Sequence, residues 1–146
     1  MTNNKDSQKT KLNKQDHRSL VLWATDCAEH VLPYFEKEYP EDNRPRKAIK
    51  AGRAWVRDKI TMGEARAAAF AAHAAARDAD HTTARAAARA AGHAAATAHV
   101  ASHAFHAADY AVAAAEAANV AEECEWQYRH LPEHLRPIAS AFLKRF

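Results

Sequence analysis

Six of the ten histidines in this 146-residue chain fall between residues 73 and 106. His99, His103 and His106 stand at i, i+4 and i+7, and at 100° per residue a helix confines them to an arc of about 60°. Tyr110 joins that face. Imidazoles at i, i+4 can share a Zn or Ni ion, metals that nitrogen donors suit. One straight helix is a poor chelator for all three, because His99 and His106 would lie about 10 Å apart along its axis. A metal reading therefore needs a ligand from a neighbouring helix, with His73, His93 and Asp109 as candidates. The plainer reading makes these histidines polar spacers that line a groove and hydrogen-bond neighbouring helices or a partner protein. No diagnostic Cys/His/carboxylate spacing displaces it, so no cofactor is expected. Carboxylate-bridged di-metal chemistry would need Glu-x-x-His pairs on several helices, and the chain has none.

Catalytic patterns are equally sparse. Asp26-Cys27-Ala28-Glu29-His30 sets a thiol three residues from an imidazole, which is not an activated dyad without further support. Cys27 also shares an apolar stripe with Leu20, Trp23 and Val31, so a buried, inert thiol is expected. There is no Gly-rich phosphate loop and no nucleophile elbow. The expectation is a non-enzyme.

Charge is segregated along the chain. An acidic block containing Glu36, Glu38, Glu41 and Asp42 abuts a basic block containing Arg46, Lys50, Arg53 and Arg57. The net charge is only +3. Neighbouring helices that complement one another account for this pattern. Nucleic-acid binding would want a basic face free of acidic neighbours and flanked by stacking aromatics, so a nucleic-acid partner is not expected.

The elements that would position these residues are helical. Alanine supplies 38 residues, 31 of them between Ala65 and Ala121, and it is the strongest intrinsic helix former. Three glycines and five prolines exclude β-rich and collagen-like chains, and no run is apolar enough to span a membrane. Asp16 predicts the start of a first helix ending near Leu32, where Pro33 begins a short segment to Tyr39. Asn43 predicts the cap of a second, and Thr61-Met62-Gly63-Glu64 fits a capping box for a third. Ala65-Arg-Ala-Ala-Ala echoes Ala84-Arg-Ala-Ala-Ala across Asp78–Thr83, which predicts two similar helices. A kink or turn is expected between Gly92 and Val100, followed by a last long helix carrying all three histidines to about Arg129. A prolyl loop at Leu131–Pro137 and a short helix with Phe142, Leu143 and Phe146 would close the chain. Trp23, Trp55, Trp126 and the terminal phenylalanines are expected to plug the bundle ends.

These readings combine into one all-α domain over residues 15–146, a compact bundle of about five to seven helices around a closely packed alanine-rich core. A flexible tail over residues 1–14 would precede it. Two widely separated cysteines and no apolar leader suggest a reducing bacterial cytoplasm. A homo-oligomeric helical scaffold stays open as another reading.

Several stretches carry a family likeness. Leu22-Trp-Ala-Thr-Asp26-Cys27-Ala-Glu29-His30, Asp42-Asn-Arg44-Pro45-Arg46, Gly52-Arg53-Ala-Trp55, Ala90-Ala-Gly92-His93 and Leu131-Pro132-Glu133-His134-Leu135-Arg136-Pro137 occur in order. Together they resemble the alanine-rich immunity proteins of bacterial polymorphic-toxin systems, from about Leu20 to Pro137. The resemblance implies a helical protein that neutralises a cognate toxin, with no catalytic residue to carry over. Occlusion of the toxin by a rigid surface would be the physical means. The basic face Arg46, Lys50, Arg53 and Arg57 would then suit an acidic toxin, and the acidic face Glu36, Glu38, Glu41 and Asp42 a nuclease.

Overall fold

In the computed structural model, which describes residues 12–143, seven α-helices and one 3-10 turn follow one another. They are α1 (Lys14–Glu38), α2 (Arg44–Val56), α3 (Met62–Asp78), α4 (Thr82–Ala96), α5 (His103–Ala117), α6 (Glu123–His130) and, after the turn Glu133–Leu135, α7 (Arg136–Leu143). The expected all-α bundle is therefore what forms. Most of the expected tail lies outside the described residues, as does Phe146. Of the tail's last three residues, Leu12 packs against the core and Asn13 caps α1.

Helix α4 is the centre. Its buried positions are Thr83, Ala84, Ala87, Ala88, Ala90, Ala91, Gly92, Ala94 and Ala95, so none carries a side chain larger than threonine. With nothing longer between them, α1, α2, α3 and α5 all pack directly on it. Alanine interfaces allow axes near the short end of the usual ~8–10 Å range. Larger side chains concentrate on α1, where Leu20, Trp23, Leu32 and Phe35 are buried, and at the chain's end, where Leu131, Leu135 and Leu143 close the core. Trp55 and Trp126 are only partly buried and Phe142 is 55% exposed, so of the expected plugs among the described residues only Trp23 is fully inside.

Several boundaries differ from expectation. Asn13 Oδ1 accepts the Asp16 N–H at 2.7 Å, so α1 starts earlier and Asp16 sits in its first turn, where a carboxylate favours the helix dipole. The helix also runs through Pro33 to Glu38. A mid-helix proline costs about 3 kcal/mol, and burying Leu32 and Phe35 on either side of it offsets that cost. At α2 the Asn43 side chain makes no capping bond; Asp42 Oδ1 takes the Arg44 N–H instead, at 3.1 Å. The Thr61/Glu64 capping box forms as expected.

The expected long final helix is two helices. Asn119 adopts the left-handed conformation (φ 61°), Val120 N–H reaches back to Ala115 O at 2.8 Å, and Asn119 N–H bonds Glu116 O at 3.0 Å. This is a Schellman termination, a position that favours glycine and that asparagine tolerates better than most other residues. Asp58 (φ 57°) ends α2 in the same way. The break expected between Gly92 and Val100 falls at Thr97–Ser102, where Thr97 Oγ bonds back to His93 O and His17 Nε2 donates to Thr97 O at 2.6 Å.

Gly52 marks the closest crossing of α1 and α2, since a Cβ there would stand 2.8 Å from Thr25 Cγ2. Thr25 is fully buried and its hydroxyl is tied to Leu22 O, so it has little room to yield. Gly52→Ala gains about 1 kcal/mol of helix propensity and loses about 1–3 kcal/mol to overpacking. The expected outcome is net destabilisation, read as a lower urea midpoint at unchanged m value.

Candidate functional site

The charged blocks are brought together, and they satisfy each other. Arg46 forms a two-pronged bond to Glu36 (2.6 and 2.7 Å), and Arg53 reaches both Glu29 (2.8 Å) and Asp26 (2.9 Å). Arg44 clamps Asp42 at 2.7 Å and Asp78 at 3.0 Å. Hydrogen bonds from these guanidinium groups hold the Glu29, Glu36 and Asp42 carboxyls below the usual carboxylate range. Glu38 lies 3.9 Å from His81. Of the eight charged residues singled out in the sequence, Glu41, Lys50 and Arg57 remain exposed without an ion pair among the described residues. The rest work chiefly as a seam from α1 to α2.

A cleft of about 480 Å3 opens at the edge of this seam, lined by Asp26, Glu29, His30, Pro33, Trp126 and His130. Its wall is a three-ring column, with His30 stacked 3.9 Å from Trp126 and Trp126 4.0 Å from His130. Beneath it Glu123, only 4% exposed, bonds His30 Nδ1 at 2.7 Å and Gln127 Nε2 at 3.3 Å. The fully buried Gln127 also donates to Ala108 O, and Trp23 donates to the Gln127 carbonyl. This polar chain docks α6 onto α1 and α5. His30 thus answers to a buried carboxylate, while Cys27 is buried, as its place in the stripe implied.

The histidines form the second cluster, and it spans three helices. His93 of α4 is the hub. His73 of α3 meets it edge-on at 4.8 Å, while His103, His106 and Tyr110 of α5 lie 5.1, 5.2 and 5.3 Å away between ring centroids. His93 Nδ1 and His103 Nδ1 are hydrogen-bonded at 3.0 Å, one neutral ring donating to the other, and Arg89 Nη1 donates to His73 Nδ1 at 3.0 Å. Gly92 makes room for this arrangement: a Cβ there would fall 2.7–2.9 Å from three atoms of the His73 ring. His99 is not part of the cluster. It sits exposed in the Thr97–Ser102 turn, so the expected run of His99, His103 and His106 on one helix does not form. Among the described residues no three His, Cys, Asp or Glu side chains are arranged to hold a metal ion.

Burial favours neutral imidazole here. Desolvation, reinforced by Arg89 and the neighbouring rings, pulls His73 down to about 4 and His93 to about 3, and desolvation also lowers His103. The sequence did not single out what flanks this cluster. Arg66, Phe70, His73 and Arg77 fall at i, i+4, i+7 and i+11 of α3 and share one stripe. Phe70 is 59% exposed, with the Arg66 guanidinium 5.4 Å from its ring centre. The spacing is readable in the sequence, but which stripe of α3 stays uncovered is set by tertiary packing.

The depressed histidines set a pH dependence. An unfolded imidazole binds a proton near pH 6.5, while the folded His73 and His93 refuse it until about 4 and 3. The unfolded state therefore holds more protons as pH falls through that window, and stability declines with it. Urea unfolding between about pH 7 and pH 4 should show this slope, and His93→Gln should make it shallower. An unchanged slope in the variant would refute a neutral His93.

Among known proteins, neither the curated proteins nor the solved structures include a match to this chain. A family model does match, described as "Imm-5 like putative immunity protein", and it covers residues 10–134. That span contains the α1–α2 seam, the cleft column and the whole histidine cluster. The chain belongs to this immunity-protein family.

Proposed function

We propose that the protein is a non-enzymatic inhibitor that binds a cognate bacterial toxin and blocks it by steric occlusion. The observation that carries this reading is the family match over most of the chain. The physical character of the molecule supports it. Alanine loses no side-chain entropy on burial, and a short-sided helical frame holds its surface groups in fixed relation before any partner arrives. No helix among the described residues is long and apolar enough to cross a membrane, which suits a partner met at a water-facing surface.

The test is co-expression with the toxin-like protein encoded beside this chain in its source genome. Growth should be restored, and the purified pair should bind with a Kd in the nanomolar range, about −12 kcal/mol. A neighbouring toxin that kills with undiminished potency, and does not bind, would refute the proposal.

A further inference from the structure

The two charged regions of the molecule differ in what they leave available. On the α1–α2 side, Arg44, Arg46 and Arg53 are each occupied by carboxylates. On α3 and α4, Arg66, Arg77 and Arg89 have no carboxylate within ion-pair distance among the described residues. Arg66 lies over Phe70 and Arg89 donates to a histidine ring, so both cations are held in place without being neutralised. The central helix α4 is buried on every side but one. Its only partly or fully exposed positions are Thr82, Arg85, Ala86, Arg89, His93 and Ala96. Arg85 turns away to the Ala79 carbonyl at 2.7 Å, leaving Arg89 and His93 to show outward between α3 and α5.

Aromatic side chains lie within the same face. Phe70 is 59% exposed on α3, one turn before His73, and Tyr110 is 37% exposed on α5, where it stacks on His93, which in turn meets His73. Asp109, next to Tyr110 at the margin, is the nearest carboxylate of α5 in sequence. Arginine and tyrosine are the side chains enriched at the energetic centres of protein interfaces. Solvated phenylalanine and unpaired guanidinium are also groups that gain on being covered by complementary chemistry.

We propose that the face built from Arg66, Phe70, Arg77, Arg89, His106 and Tyr110 is the docking surface, and that it receives an acidic patch on the protein partner. This rests on the reading of the protein as a toxin-binding inhibitor. It moves the contact away from the basic block at residues 46–57, whose arginines 46 and 53 are already paired with α1. The charge favours a protein over a nucleic acid. Non-specific duplex binding is carried by cations that each neutralise a phosphate, and this face offers three arginines.

The experiment uses the complex with the neighbouring toxin. Arg66→Glu combined with Arg89→Glu should weaken binding by at least about tenfold, and Phe70→Ala by a similar factor, while Lys50→Glu stays within about twofold. Circular dichroism and thermal melting confirm that each variant folds. A toxin that binds all variants alike overturns the docking surface but leaves the inhibitor reading standing. Failure of the wild-type pair to associate counts against the inhibitor reading instead, and the face is then judged with two probes. Poly-L-glutamate should shift the ring resonances of His106 and Tyr110 in the wild type and not in the doubly reversed variant. No shift, or tighter binding of a DNA duplex than of poly-L-glutamate, overturns the proposal.

Discussion

The close approach of other helices to α4 is the constraint on which the rest of the structure depends. Its buried faces carry nothing larger than threonine, so four neighbours can pack against one central rod. Each buried methyl contributes little hydrophobic transfer, on the order of 1 kcal/mol or less. Stability must come from the number of close contacts, and dispersion falls off quickly once a gap opens. A core of this kind tolerates added volume poorly. The two interior glycines show it, since Gly52 admits Thr25 and Gly92 admits the His73 ring.

The two differ in what can yield. At Gly52 the neighbour is a fully buried side chain tied to its own helix, so the crossing is rigid. At Gly92 it is a half-buried imidazole on the outer face, which could swing into solvent. The packing constraint on the α1 side thus comes from how closely α2 crosses α1, and the surface chemistry on the α3–α5 side from how closely the His73 ring of α3 lies on α4. The larger side chains that cannot fit beside α4 collect around α1 and the chain's end. There a buried Glu123–Gln127 chain, anchored by His30 and Trp23, docks α6.

Much of the fold was legible because it is written in local chemistry. Alanine content implies helix, the Thr61–Glu64 box marks the start of α3, and the Ala65/Ala84 echo marks α3 and α4 as similar elements. What escaped depends on tertiary packing or on single backbone conformations. Pro33 reads as a stop, yet the burial of Phe35 carries α1 past it. Asn119 reads as one polar residue in a helical run, and its positive φ divides that run in two. In the candidate site, spacing placed His103 and His106 on one face and named His73 and His93 as neighbours. It placed His99 on that face as well, and wrongly, because the Thr97–Ser102 break takes in that residue and leaves it outside the helix.

The acidic and basic blocks show why a charged face in sequence is a poor guide to a binding face. Exposed ion pairs contribute about 0–1 kcal/mol each to stability, so the α1–α2 seam is not strong in itself. Its effect on recognition is larger than its effect on folding. A carboxylate approaching Arg46 must compete with Glu36, already held by two bonds, and gains only the difference between two similar pairs. A carboxylate approaching Arg66 or Arg89 meets no competing carboxylate among the described residues, only the Phe70 ring beside the first guanidinium and the His73 ring that accepts from the second. The order along the chain, acidic then basic, lets α1 and α2 neutralise each other. The alanine helices, sparse in carboxylates along their outer stripe, leave their arginines available.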